Sequence, residues 1–190
     1  MRKLLILLTI VVITQSCHHQ ADSVKKEVSP GWEKTFATEL DLLGHRNWVL
    51  VVDKAFPAQT ATGITVINSG AGLQEVLDKV LTEIGRASHV KPLIYTDHEL
   101  AYISPQQVPG IENYRSELSM RLKDFPVSTI LHDSVFVKID QASRLFKVLV
   151  IKTEEVIPYS SVFIELDCKY WTPEQEAELR DRMKQDATVW

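Results

Sequence analysis

The 190-residue chain has only two cysteines, Cys17 and Cys168, so it offers no framework of intramolecular disulfides. Nucleotide-binding motifs are also missing, because the Gly-containing turn at residues 68–72 has neither the lysine and spacing of a P-loop nor the dinucleotide fingerprint. The polar run at residues 96–99, TDHE, lacks the HExxH spacing that places two histidines on one helical face. We therefore expect no metal and no other cofactor.

The chain has fewer basic than acidic residues, with 21 Lys and Arg residues compared with 25 Asp and Glu residues. Removal of residues 1–16 as a signal takes away Arg2 and Lys3 but no acidic residue, which leaves 19 basic and 25 acidic residues and a formal charge of −6. Nucleic-acid binding depends on clustered basic side chains. The sequence therefore predicts no nucleic-acid partner.

The apolar run near the N-terminus, residues 4–13, is too short to span a bilayer comfortably. Arg2 and Lys3 precede it and Cys17 follows shortly after, as in an exported protein. The segment 1–17 resembles a bacterial lipoprotein signal, which implies lipidation of Cys17 and anchoring to a membrane of the cell envelope. Thr14 stands where such signals usually carry leucine, so an ordinary cleaved signal and an uncleaved anchor remain alternatives.

Three further segments follow. Residues 18–30 are polar and charged and end in Ser-Pro, as expected for a linker. Residues 31–168 alternate apolar and polar patterns, and their length suits one packed domain. In residues 169–190, Thr172, Pro173 and Gln175 predict the start of a charged C-terminal helix.

The domain is predicted to be α/β, with a mainly parallel sheet flanked by helices. Trp48 to Val52 is an unbroken apolar run, typical of a strand buried on both faces. Apolar spacing predicts helices over residues 32–43, closed by Gly44, and over residues 73–84. Residues 135–143 are ambiguous between helix and strand. Further strands are expected at residues 64–67, 90–95, 129–131, 147–151 and 162–166.

Polar residues at both ends of the strand Trp48–Val52 are candidates for a site. Asp53 follows the strand, and ligands collect at the carboxyl ends of strands in open α/β sheets, although such an aspartate can also bond to turn amides. His45 precedes the strand and can equally cap a helix C-terminus. The run at residues 96–99 is interpreted as a solvated loop, with a contact at the rim of a ligand site as the alternative.

The sequence resembles the D-ribose pyranase and L-fucose mutarotase family. The pattern is Gly44-His45, seven residues, then Asp53, and Ala55-Phe56-Pro57-Ala58 is closer to the fucose-type branch. Weaker matches, in the same order as in the family, are Tyr114-Arg115 with Leu118, residues 145–151, Thr153-Glu154 and Tyr159. Together they cover roughly residues 31–167.

The resemblance implies a monosaccharide mutarotase or pyranase acting on a fucose- or ribose-like sugar, in which His45 and Asp53 are catalytic. It also implies sugar contacts from His132, Tyr159 and Ser161. Asp133 aligns as well as His132 does, and without the resemblance Tyr159 reads as a half-buried core residue. Ser161 stands where the family has asparagine, so the amide's paired donor and acceptor are lost.

Geometry adds one constraint. Eight residues separate His45 from Asp53, which in an extended strand is up to roughly 26 Å. Either the ends of the segment curl inward, or neighbouring subunits supply different parts of one site. The second option agrees with the ring-shaped homo-oligomers that the resemblance implies. The rival interpretations are a non-catalytic exported lipoprotein of this fold that binds a sugar, glycan or protein partner, and a purely structural component.

Overall fold

The computed structural model describes residues 31–185, so the predicted signal and linker, 1–17 and 18–30, lie outside the described residues. Six strands are present in this part of the chain: Trp48–Val52 (β1), Ile64–Asn68 (β2), Val90–Asp97 (β3), Val127–Ile130 (β4), Val148–Lys152 (β5) and Val162–Cys168 (β6). The helices are Trp32–Leu40 (α1), Leu73–Arg86 (α2), Ile111–Leu122 (α3), His132–Ser143 (α4) and Pro173–Gln185 (α5), with a 3₁₀ helix at His98–Tyr102.

The strands form one sheet in the order β2-β5-β1-β6-β3-β4. Parallel pairing joins β2 to β5, β5 to β1, and β3 to β4, whereas β6 is antiparallel to both of its neighbours. Five strands therefore point one way and β6 points the other. The prediction of an α/β domain with a mainly parallel sheet is confirmed.

The two faces of the sheet are covered unequally. Helices α1, α2 and α3 pack on one face, where Phe36, Leu77 and Ile111 lie in one cluster with Val49 and Val51 of β1. Helix α4 packs on the other face, where its buried residues meet the alternate residues of β1. All five residues of β1 are consequently buried, as its continuous apolar run predicts.

Two helix predictions change in detail. Helix α1 ends at Leu40 with Asp41 as its C-cap, so the prediction that Gly44 closes it is wrong, although Leu43 is still buried. The ambiguous stretch at residues 135–143 is helical, because Val135 and Ile139, four residues apart, face the sheet together.

Helix α5 has no buried residue, as its charged composition indicates. Thr172 and Gln175 form the predicted capping box, in which each backbone N–H donates to the other residue's side chain, at 2.8 and 3.2 Å. Among the helices of residues 31–185, none is long and apolar enough to cross a bilayer.

Candidate functional site

Four polar or aromatic side chains meet at the carboxyl edge of the parallel strands. Asp53 follows β1, Asp97 ends β3, and His132 comes two residues after β4. Because β6 is antiparallel, its beginning lies at the same edge, and the turn before it carries Tyr159. This is the edge at which open α/β sheets bind ligands.

Asp53 and Ser161 are joined by two hydrogen bonds. The Ser161 hydroxyl donates to Asp53 Oδ2 at 2.7 Å and accepts the backbone N–H of Asp53 at 3.1 Å. Asp53 Oδ1 accepts the backbone N–H of Ala55 at 2.8 Å. Ser161 is only 1% exposed and directly precedes β6, so it holds Asp53 in place from a buried position. Each Asp53 oxygen retains a lone pair that can accept a ligand hydroxyl.

Asp97 and His132 form a second pair. His132 Nδ1 lies 2.9 Å from Asp97 Oδ2, and the Asp97 side chain is fully buried, whereas that of His132 is 28% exposed. The backbone N–H of His132 donates to both carboxylate oxygens of Glu99, at 3.1 Å each, which secures the start of α4 beside the end of β3. Asp133, the alternative to His132, is exposed.

Burial leaves Asp97 electrostatically strained. Its Oδ1 is buried and has no hydrogen-bond partner among the described residues. Loss of hydration raises the pKa of Asp97 from its ordinary 3.8 to about 6, although the neighbouring His132 acts in the opposite direction. The negative charges of Glu99 and Asp53 add to the rise, which places Asp53 within electrostatic reach of Asp97.

Tyr159 reaches this edge through an unusual backbone conformation. Its φ of 58° lies in the left-handed region, which residues with side chains rarely adopt. The turn is held by the Tyr114 hydroxyl, which donates to the carbonyl of Ser160 at 3.1 Å. The Tyr159 ring meets the His132 ring edge to face at 5.3 Å, and 38% of Tyr159 is exposed. A partly exposed tyrosine offers an apolar ring and a hydroxyl group at this edge.

His45 does not join these residues within one chain. It precedes β1, and β1 pairs along its length with β5 in regular register. His45 is exposed at the amino edge of the sheet, whereas Asp53 is at the carboxyl edge. The option that the ends of this segment curl inward is therefore wrong for a single chain.

Asp97 is a site residue that the sequence does not single out. Strand β3 runs two residues further than predicted, so Asp97 is a buried strand residue, and the interpretation of residues 96–99 as a solvated loop is wrong at this position. Its partner His132 is 35 residues away along the chain, and no local sequence pattern predicts a contact between residues so far apart.

Within residues 31–185 there is no cluster of three or more His, Cys, Asp or Glu side chains arranged to hold a metal ion. The groups at the edge are an imidazole, two carboxylates and a phenol. Together they can exchange protons and bind hydroxyl groups.

The fold and the groups at the carboxyl edge of its sheet define a class of single-domain α/β proteins that carry an acid–base cluster at the carboxyl ends of the strands. The model of the RbsD / FucU transport protein family matches residues 26–168, and the chain belongs to this family. No curated protein sequence matches the chain.

Two solved structures are similar to this chain. RbsD of Bacillus subtilis, complexed with D-ribose, is 17% identical with a TM-score of 0.50, over 70% of this chain and 91% of that chain. The fucose mutarotase of Streptococcus pneumoniae, in complex with L-fucose, is 16% identical with a TM-score of 0.46, over 77% and 97%. Assignment to the fucose-type branch stays a prediction.

Proposed function

We propose that the protein is a monosaccharide mutarotase or pyranase that interconverts anomers or ring forms of a free fucose- or ribose-like sugar. The observation that carries the proposal is the meeting of Asp53, His132 and Tyr159 at one edge of the sheet, beside the buried Asp97. Membership of the RbsD / FucU family supports it, as do the D-ribose and L-fucose in the complexes named above.

The chemistry needs only an acid and a base. A base removes the proton of the anomeric hydroxyl, the bond between the anomeric carbon and the ring oxygen breaks, and an acid protonates the ring oxygen. The open-chain carbonyl compound then recloses on its other face or through another hydroxyl. Every proton taken is returned, so no cofactor is consumed. Histidine and aspartate side chains can perform both steps near neutral pH.

Roles follow from position and residue type. Asp53 accepts a proton or orients sugar hydroxyls, since both of its oxygens have spare lone pairs while its own bonds hold it still. His132 and Tyr159 line the same edge and hold the sugar. Ser161 acts through Asp53, because it is buried and bonded to it.

The proton donor comes from another copy of the chain. A sugar ring cannot bridge the length of β1, so His45 of one subunit serves the edge of a neighbouring subunit that presents Asp53. The working form is therefore a homo-oligomer. We further propose that it is exported and anchored to a bacterial membrane through lipid on Cys17. Light scattering showing a stable monomer at micromolar concentration contradicts the shared site.

The function is tested by NMR on the full-length protein with a panel of free aldoses that includes fucose and ribose. Saturation transfer reports binding, and exchange between anomer resonances reports catalysis in the same sample. We expect accelerated exchange of at least one sugar in the panel, at a rate proportional to protein concentration. Binding without acceleration refutes the enzyme and favours the non-catalytic sugar-binding lipoprotein of the same fold.

A further inference from the structure

We propose that Asp97 is a positioning residue, which holds His132 in the tautomer that carries its proton on Nδ1 and so presents an unprotonated Nε2 to the sugar. The statement about the tautomer stands on the geometry of the pair. The statement about the sugar rests on the proposed function.

The contact between the two residues fixes the direction of the hydrogen bond. An ionised carboxylate can only accept hydrogen bonds, and Asp97 Oδ2 lies 2.9 Å from His132 Nδ1. The proton therefore resides on Nδ1, and the neutral imidazole has its free lone pair on Nε2. A lone pair at that position can take the proton of an anomeric hydroxyl.

The surroundings of the ring restrict its rotation. The ring of Phe136 meets the His132 ring edge to face at 5.0 Å, and the Tyr159 ring meets it in the same manner at 5.3 Å. The backbone N–H of His132 is bonded to Glu99, two residues after Asp97. One segment of the chain, from the end of β3 into the 3₁₀ helix, thus holds both the backbone and the imidazole of His132.

A purely structural ion pair between β3 and α4 is the competing explanation, and the unpartnered Asp97 Oδ1 argues against it. A buried polar atom without a hydrogen bond lowers the stability of the fold. The Asp97–His132 pair therefore contributes little to the stability of the contact between β3 and α4. Buried carboxylates with unmet hydrogen-bonding needs are instead concentrated at functional sites. Besides the imidazole of His132, the carboxylates of Glu99 and Asp53 face Asp97, and both repel it when it is ionised.

The first test reads the tautomer directly. Two-bond proton–nitrogen correlations of the ¹⁵N-labelled full-length protein distinguish the two neutral tautomers of each histidine, and the spectrum of His132→Gln identifies the signals of His132. We expect a single Nδ1-protonated form in the wild type at pH 7.5. An Nε2-protonated wild-type imidazole overturns the proposal, and this result does not require any Asp97 variant to fold.

The second test compares Asp97→Asn with Asp140→Asn, which makes the same substitution at an exposed position of α4, where the carboxylate accepts a hydrogen bond from Arg144. Asp97→Asn removes the charge that selects the tautomer, so both forms become populated, and we expect kcat for anomer exchange to fall about tenfold to hundredfold with little change in KM. Asp140→Asn leaves the tautomer and the rates within threefold of the wild type. If Asp97→Asn keeps one Nδ1-protonated form, Asp97 does not position the ring. If the wild type accelerates no sugar, the proposed function fails while the tautomer measurements still decide the role of Asp97.

Discussion

Replacing Asp97 with asparagine should stabilise the fold at neutral pH while it impairs the site. In the folded protein the pKa of Asp97 is about 6, compared with an ordinary value of 3.8. The unfolded chain therefore loses this proton at a lower pH than the folded protein does. As pH rises from about 4 to about 6, ionisation favours the unfolded state, and wild-type stability falls by the contribution of this residue.

The size of the effect follows from the two pKa values. Their difference corresponds to about 3 kcal/mol at 1.36 kcal/mol per pKa unit, which is the upper limit of the cost of ionised Asp97. Asparagine has almost the same shape and no charge, and the pKa shift already includes the hydrogen bond between the carboxylate and His132. Because the buried amide must still satisfy its own polar atoms, we expect a net gain below this limit, about 1–2 kcal/mol for Asp97→Asn above pH 6.

Urea unfolding of wild type and Asp97→Asn measures this difference at pH 4, 5, 6 and 7, at one fixed protein concentration because an oligomer's stability depends on it. The advantage of the variant should be near zero at pH 4, grow up to pH 6 and remain constant above it. A variant that is less stable than the wild type at pH 7, or an advantage independent of pH, refutes the account of Asp97 as a destabilising buried charge.

Three further substitutions probe other parts of the account. Ser161→Ala removes both hydrogen bonds to Asp53 and should lower the free energy of unfolding by about 1–3 kcal/mol in urea titrations, whereas an unchanged value means that water replaces the hydroxyl. His45→Ala should slow anomer exchange by roughly a hundredfold or more with an unchanged melting curve by circular dichroism, because a general acid is lost from an exposed position. A helix-capping His45 would instead lower stability and leave exchange intact. Cys17→Ser should release the protein from the membrane fraction in detergent partitioning, and equal retention contradicts lipidation at Cys17.

The sheet could be predicted from the sequence because its signals are local. Trp48 to Val52 is continuously apolar, and such a run is satisfied only between two covered faces. The same run predicts that His45 and Asp53 are far apart, since the length of a strand is set by its residue count. The structure places the two residues at opposite edges of the sheet.

The pairings across the edge could not be predicted, because they depend on which strands become neighbours. Ser161 lies against Asp53 only because β6 inserts next to β1, and this makes it a buried partner of the aspartate. Asp97 meets His132 only because β3 pairs with β4. A polar residue after apolar ones is usually read as the start of an exposed turn. A carboxylate that ends a strand and is buried, such as Asp97, cannot be recognised in this way.

If one site takes its acid from one copy of the chain and Asp53 from another, two inactive variants should complement each other. His45→Ala and Asp53→Asn should each be inactive in anomer exchange when purified alone. Co-expressed in equal amounts and assembled together, they should recover about a quarter of the wild-type rate, because random mixing leaves that fraction of interfaces with both residues intact. Mixed oligomers that contain both variants and remain inactive would contradict the shared site.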